Sequence, residues 1–194
     1  MKIIELIINE TEDLMGVEAM SVVEHPAIES NFITLNKQKL QKYDVKLAVD
    51  EERRLLMGPA LIPNKLIYRN DEMNGEYYIY FSTDTVKKAS QLFLQAGNQG
   101  KATQEHERDI EGLTVVESWL KEDMVHDKSA IHGLEDPLGT WMICQKVDND
   151  EVWEDAKSGK VKGFSIEAYF ADRYEQPNEQ GLLEQIKKIL DDPR

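Results

Sequence analysis

Cysteine is nearly missing from this chain: Cys144 stands alone among 194 residues. A single thiol excludes an internal disulfide and a paired-CxxC zinc site, and it fits a reducing compartment. Cys144 ends the apolar run Trp141-Met142-Ile143-Cys144, the setting of a core residue rather than a nucleophile. Long hydrophobic runs are lacking as well. No stretch approaches the roughly 18 apolar residues of a membrane span, and residues 1–10, broken by Glu5, carry no signal-peptide cleavage pattern and are read as a strand. Basic residues are outnumbered, 23 Lys and Arg against 37 Asp and Glu, for a formal net charge of -14. With no Lys/Arg block, such a surface repels nucleic acid and anionic membrane, so neither is an expected partner. No glycine-rich phosphate loop or dinucleotide fingerprint occurs, and Gly159-Lys160 lacks the upstream glycine of a P-loop. No cofactor is expected.

What is present reads as a chain of short strands with a few helices, a β-rich α+β domain. Residues 3–8 and 16–23 are apolar strand candidates, separated from the next apolar patch (28–35) by His25-Pro26-Ala27, where proline enforces an extended turn. Residues 37–42 are read as a surface loop or short helix. Residues 55–63 make a strand that Pro59 confines to an edge or a bulge. Residues 66–69 and the aromatic 76–81 flank an Asn/Asp/Gly turn and form a hairpin. Val86, Ala89, Leu92, Phe93 and Ala96 lie at helical spacing before Gly97. Residues 101–107 and 113–120 are read as hairpin partners, 121–139 as a long mobile loop, and 139–147 as a strand. Asp148 and Asn149 cap a short helix ending near Gly159. Leu182, Leu183, Ile186, Ile189 and Leu190 share one helical stripe.

The stretch with most chemical promise is residues 161–170. Strand alternation puts Lys162, Phe164, Ile166, Ala168 and Phe170 on an apolar face, and Val161, Gly163, Ser165, Glu167 and Tyr169 on the other. Ser165 is thereby presented beside Gly163, which has no side chain to cover it. A hydroxyl so placed suits a nucleophile, although ordinary strand serines look the same. The base must come from His25, His106, His126 or His132. His106, flanked by Glu105 and Glu107 at the junction of the 101–120 hairpin, is the best candidate, with a solvated surface histidine as the competing reading. The same hairpin would bring Glu117, a carboxylate in an apolar strand, near His106 to orient it; a solvent-facing Glu117 is the plain alternative. A zinc site on His126 and His132 is the rival chemistry, unsupported by any HExxH-like helix.

Several pieces in this order resemble a known family: residues 63–69, 77–82, Glu105-His106-Glu107, Val116-Glu117-Ser118-Trp119, and 157–167 with its Gly163-Phe164-Ser165-Ile166-Glu167 core. Residues 19–29 add to the likeness. The chain is similar, over roughly residues 17–170, to the XkdF-like serine proteases of tailed bacteriophages, relatives of prohead proteases and, more distantly, of herpesvirus assemblins. The resemblance implies a small β-barrel of mostly antiparallel strands flanked by helices, with Ser165 as nucleophile and His106 as general base. Assemblins use a second histidine after the serine, and none follows Ser165 here. Prohead proteases use an acidic residue, for which Glu117 is the choice and Glu107 and Asp127 are the reserves. The oxyanion donors stay unassigned, because Ile166-Glu167 replaces the glycine often found after the serine. Also implied are scaffold and major capsid proteins as substrates, a homo-oligomer, and residence in the host cytoplasm inside the assembling procapsid. Residues 1–175 would form the protease domain and 176–194 an amphipathic helix or scaffold-like extension. A non-catalytic scaffold or assembly protein that keeps the fold is the alternative function.

Overall fold

The computed structural model describes residues 2–8, 16–35, 53–72 and 74–173. The expectations for 37–42 and for the 182–190 stripe lie outside them. Among the described residues, twelve strands and three α-helices follow in the order β1 (Lys2–Ile7), β2 (Gly16–Val23), β3 (Ile33–Thr34), β4 (Leu55–Leu61), β5 (Ile67–Asp71), β6 (Gly75–Tyr80), α1 (Thr83–Gln95), β7 (Ala102–Gln104), β8 (Arg108–Asp109), β9 (Leu113–Leu120), α2 (Lys128–Ile131), β10 (Trp141–Val147), α3 (Asp150–Ser158), β11 (Gly163–Tyr169) and β12 (Ala171–Arg173). The strands form three four-stranded sheets, ordered β12-β1-β6-β5, β3-β4-β10-β9 and β11-β2-β7-β8. The fold is mixed α and β and mostly strand. It is not the expected barrel: among the described residues each sheet ends on two edge strands, and no hydrogen-bonded ladder links one sheet to the next.

The core forms where the apolar faces of these sheets and two helices meet. Val86, Ala89 and Phe93 of α1 are fully buried, and the Phe93 ring stands edge-on to Trp141 of β10 at 5.5 Å. Gly97 takes a left-handed φ of 72° where the helix stops, as its place after the apolar stripe predicts. The α3 helix is capped by Asn149, whose side chain accepts from the Val152 amide, and it buries Val152, Trp153 and Ala156. The aromatic hairpin is β5–β6. Pro59 sits beside a register shift in the β4–β10 ladder, and β3 pairs only with Leu56 and Met57, so its missing N–H leaves no gap in that pairing.

Two expectations fail for topological reasons. Residues 101–107 and 113–120 do not form a hairpin: β7 runs parallel to β2, whereas β9 pairs with β10 in another sheet. Residues 121–139 are not a featureless loop but fold around Lys121, which is 1% exposed and donates from Nζ to the Leu134 carbonyl at 2.8 Å. Within this segment Asp127 caps α2, accepting from the Ser129 amide at 2.8 Å, from the Ser129 hydroxyl and from the Trp119 indole. Burial works against the Asp127 charge, but these hydrogen bonds and the nearby Lys121 outweigh it and hold the carboxyl below its ordinary value.

Asp127 therefore adds stability that is complete above the unfolded carboxyl value, about pH 4, and is lost as pH falls through the lower folded value. Asp127→Ala is expected to cost about 1 kcal/mol at pH 7. That cost should shrink below pH 4 when wild type and variant are compared by denaturant titration; a cost independent of pH would refute the charge contribution.

Candidate active site

The site is built on β2, hydrogen-bonded to β11 on one side and β7 on the other. Its core face carries Met20 and Val22, both fully buried, and the paired Phe164 of β11 is buried with them. Register then decides what lies on the opposite face. Ser165 pairs with Ser21, and Ser21 pairs with Thr103, so three hydroxyl side chains line up across three strands. Glu167 pairs with Ala19. The methyl group of Ala19 is low enough for the Glu167 side chain to reach across β2, and the Thr103 hydroxyl donates to Glu167 Oε1. Just beyond, the ladder shifts: Ala168 pairs with Val17, leaving Glu18 as the extra residue of a β-bulge.

His106 enters from the turn between β7 and β8. Glu105 and His106 both have left-handed φ, 53° and 60°, and the Glu107 amide donates to the Gln104 carbonyl at 3.0 Å across them. Two such non-glycine residues cost on the order of 1–3 kcal/mol each. Three hydrogen bonds to β2 and its end offset this. The Glu105 amide donates to the Val22 carbonyl at 3.2 Å, the His106 amide to Ser21 Oγ at 3.2 Å, and the Glu24 amide to Glu105 Oε1 at 2.7 Å. The imidazole consequently faces β11, its Nδ1 3.2 Å from Glu167 Oε1. With 41% and 34% of their side chains exposed, His106 and Glu167 form a pair whose worth is orientation more than stability.

Ser165 and Glu167 thus lie on one face of β11, two residues apart, and His106 is held to that face. Ser165 is half-buried. Among the described residues its hydroxyl has no hydrogen-bond partner, and no hydrogen bond joins it to His106. The open space expected over Gly163 does not exist. A Cβ there would meet Pro26 Cγ at 2.6 Å and the Ser30 carbonyl at 2.9 Å, so Gly163 is glycine because the 26–30 segment presses on it. The apolar face of residues 161–170 is otherwise as expected, with Phe164 buried and Ile166, Ala168 and Phe170 packed on the core.

The remaining candidates lie elsewhere. Glu117, on β9, pairs with Lys128 rather than with His106, because the hairpin that would have joined them is absent. Asp127 is occupied as the α2 cap. Glu107 follows His106 in the turn and is exposed. His126 is 84% exposed and bonded to Asp123, whose carboxyl, accepting from the His126 and Val125 amides, is lowered to about 2. His132 ends α2, and its burial, with Lys128 and Arg53 nearby, lowers its pKa. His25 is 85% exposed beside Glu24. Among the described residues no three His, Cys, Asp or Glu side chains converge as a metal site. Cys144 is fully buried and its thiol is pushed up to about 11, chiefly by that burial, so it is no thiolate nucleophile at neutral pH. Sequence reasoning put Glu167 on the serine's face but did not assign it a role; the signal available was its alternation with Ser165.

The family model described as "Putative phage serine protease XkdF" matches residues 44–175, more than half of the chain. The chain belongs to this family. His106 and Ser165 both fall inside the matched span, whereas β2, the strand between them, precedes it. No curated protein and no solved structure matches the chain. As an XkdF-family protein it carries the family's serine protease description, and none of its described helices is long and apolar enough to cross a membrane.

The buried, high-pKa thiol gives a direct check. Native protein at pH 8 should release no thionitrobenzoate from Ellman's reagent, and unfolding in guanidinium should expose one reactive thiol per chain. Rapid native labelling would contradict the packing around Cys144.

Proposed function

We propose that this XkdF-family protein is a prohead serine endopeptidase that cuts scaffold and capsid precursor proteins, with Ser165 as nucleophile and His106 as general base. The observation that carries the reading is the register across β11, β2 and β7. It sets Ser165, whose hydroxyl has no hydrogen-bond partner among the described residues, opposite Ser21, the side chain to which the His106 amide is bonded. With Nδ1 directed at a carboxylate, Nε2 is the nitrogen left to take the serine proton.

In the reaction so assigned, Ser165 Oγ attacks the scissile carbonyl carbon as its proton passes to His106. The tetrahedral intermediate collapses, the C–N bond breaks, and His106 returns the proton to the leaving amine. Water, deprotonated by His106, then attacks the acyl-enzyme ester, and the carboxylate product leaves as Ser165 recovers its proton. Side chains beyond the Ser165 hydroxyl and the imidazole are not consumed. Cleavage would take place in the host cytoplasm, inside the assembling procapsid, where confinement raises the concentration of protease and substrate together. A homo-oligomer is part of the proposal; nucleic acid and membrane are not. The second reading, a non-catalytic assembly protein on the same fold, is favoured by one observation: Ser165 and His106 are not hydrogen-bonded to each other. Catalytic hydrogen bonds are often long before substrate binds, which is why the protease reading is preferred.

Co-expression with the scaffold and major capsid proteins of the encoding phage, read by intact mass, separates the two. Defined fragments are expected with wild type, and a loss of at least about 1000-fold with Ser165→Ala or His106→Ala. Cleavage that survives Ser165→Ala would remove the nucleophile assignment. Normal procapsids without any cleavage would favour the assembly-protein reading.

A further inference from the structure

We infer that Glu167 is the third catalytic residue, the carboxylate that orients His106, and that Thr103 is a positioning residue acting through it. This inference rests on the serine protease reading above. It replaces Glu117, which the topology places in another sheet and pairs with Lys128. The argument is geometric. A base that must take a proton at one ring nitrogen needs its other nitrogen committed to an acceptor, which fixes both tautomer and ring plane. Glu167 Oε1 is 3.2 Å from His106 Nδ1 and projects from the strand that carries Ser165, on the same face. Acid, base and nucleophile are therefore fixed relative to one another by one β-ladder and one pinned turn.

The carboxylate is itself held. Thr103 is 6% exposed, its hydroxyl donates to the same Oε1 that faces His106, and the floor beneath this contact is Ala19. A glutamate has one more rotatable bond than an aspartate and would otherwise sample several positions. The Thr103 hydroxyl supplies the fixed donor that selects one of them. The acceptor is thus preorganised before substrate arrives, at the end of a side chain that crosses β2 at Ala19, where only a methyl group stands.

The test uses the full chain and a fluorophosphonate probe, which forms a Ser165 Oγ–P bond with loss of fluoride and passes its proton to the same base. Labelling rates are measured against pH for wild type, Glu167→Gln, Glu117→Gln, Thr103→Val and Thr103→Ser, alongside scaffold cleavage. Glu167→Gln is expected to slow labelling about 10,000-fold, because the amide no longer selects the ring tautomer that frees Nε2. Glu117→Gln should behave as wild type. Thr103→Val is expected to lose about 10-fold and Thr103→Ser to regain most of it. The nitrogen NMR shifts of the His106 ring in Ser165→Ala, with and without Glu167→Gln, report the ring tautomer and so read the same contact without activity. The proposal is overturned if Glu167→Gln leaves the labelling rate and the ring tautomer unchanged while Ser165→Ala and His106→Ala abolish labelling. If those two variants still label and cleave like wild type, the protease reading itself fails instead.

Discussion

The constraint on which the site depends is the placement of β2, antiparallel to β11 and parallel to β7. Side-chain alternation has a period of two, so a slip of one residue in the β2–β11 ladder would turn Ser165 into the core and Phe164 out of it, and one in the β2–β7 ladder would turn Thr103 away from Glu167. Burying a side chain such as Phe164 contributes about 2–3 kcal/mol, and Met20 and Val22 are buried on the same face. The register is therefore set by apolar packing, and the polar face inherits it. Gly163 reinforces this at one end, where Pro26 and Ser30 leave no room for a side chain. The bulge at Glu18 limits it at the other, ending the regular alternation just after Glu167 has been placed.

The second requirement is met by strain. Holding an imidazole over a sheet calls for a sharp reversal, and Glu105 and His106 accept left-handed backbone to make it. What keeps them there is the end of β2: the Val22 carbonyl, the Ser21 hydroxyl and the Glu24 amide all bond to the turn. Ser21 has a double role in this arrangement. It is the ladder partner of Ser165 and the acceptor for the His106 amide, so the residues assigned as nucleophile and base are referenced to the same side chain. A larger residue in its place would fill the floor between them.

Local pattern made part of this readable beforehand. The alternation of residues 161–170, the aromatic hairpin, the capped helices and the inert Cys144 all follow from neighbours within a few residues. Sheet pairing does not. β7 has three residues and no apolar alternation, and nothing in residues 101–120 says that its partner lies some eighty positions upstream. The nearest convincing strand, β9, was therefore the natural choice of partner, and it brought Glu117 with it. Closure into a barrel was likewise an expectation carried by likeness rather than by any pattern in the chain. The occupied space over Gly163 was invisible for a related reason: Pro26 is remote in sequence and arrives only through tertiary packing. The family match itself begins after β2, so the matched span omits the strand that aligns His106 with Ser165.

These long separations have a consequence for when the site exists. The contacts that define it join His106 to Ser21, His106 to Glu167 and Thr103 to Glu167, across 85, 61 and 64 positions of the chain. The β7–β8 hairpin carries Thr103 and His106 together, but none of the three contacts is made within a single hairpin or helix. Loop closure on this scale must be completed before any of these contacts is made, and contacts of this kind form late in folding. The turn bearing His106 cannot hold its strained backbone until β2 is in place to accept its hydrogen bonds, and Glu167 is not oriented until β7 is paired. Base, acceptor and hydroxyl thus come together as a single cooperative event tied to completion of the β11-β2-β7-β8 sheet. In a chain proposed to cut scaffold and capsid precursors, that coupling would keep the serine unassisted until the domain has folded.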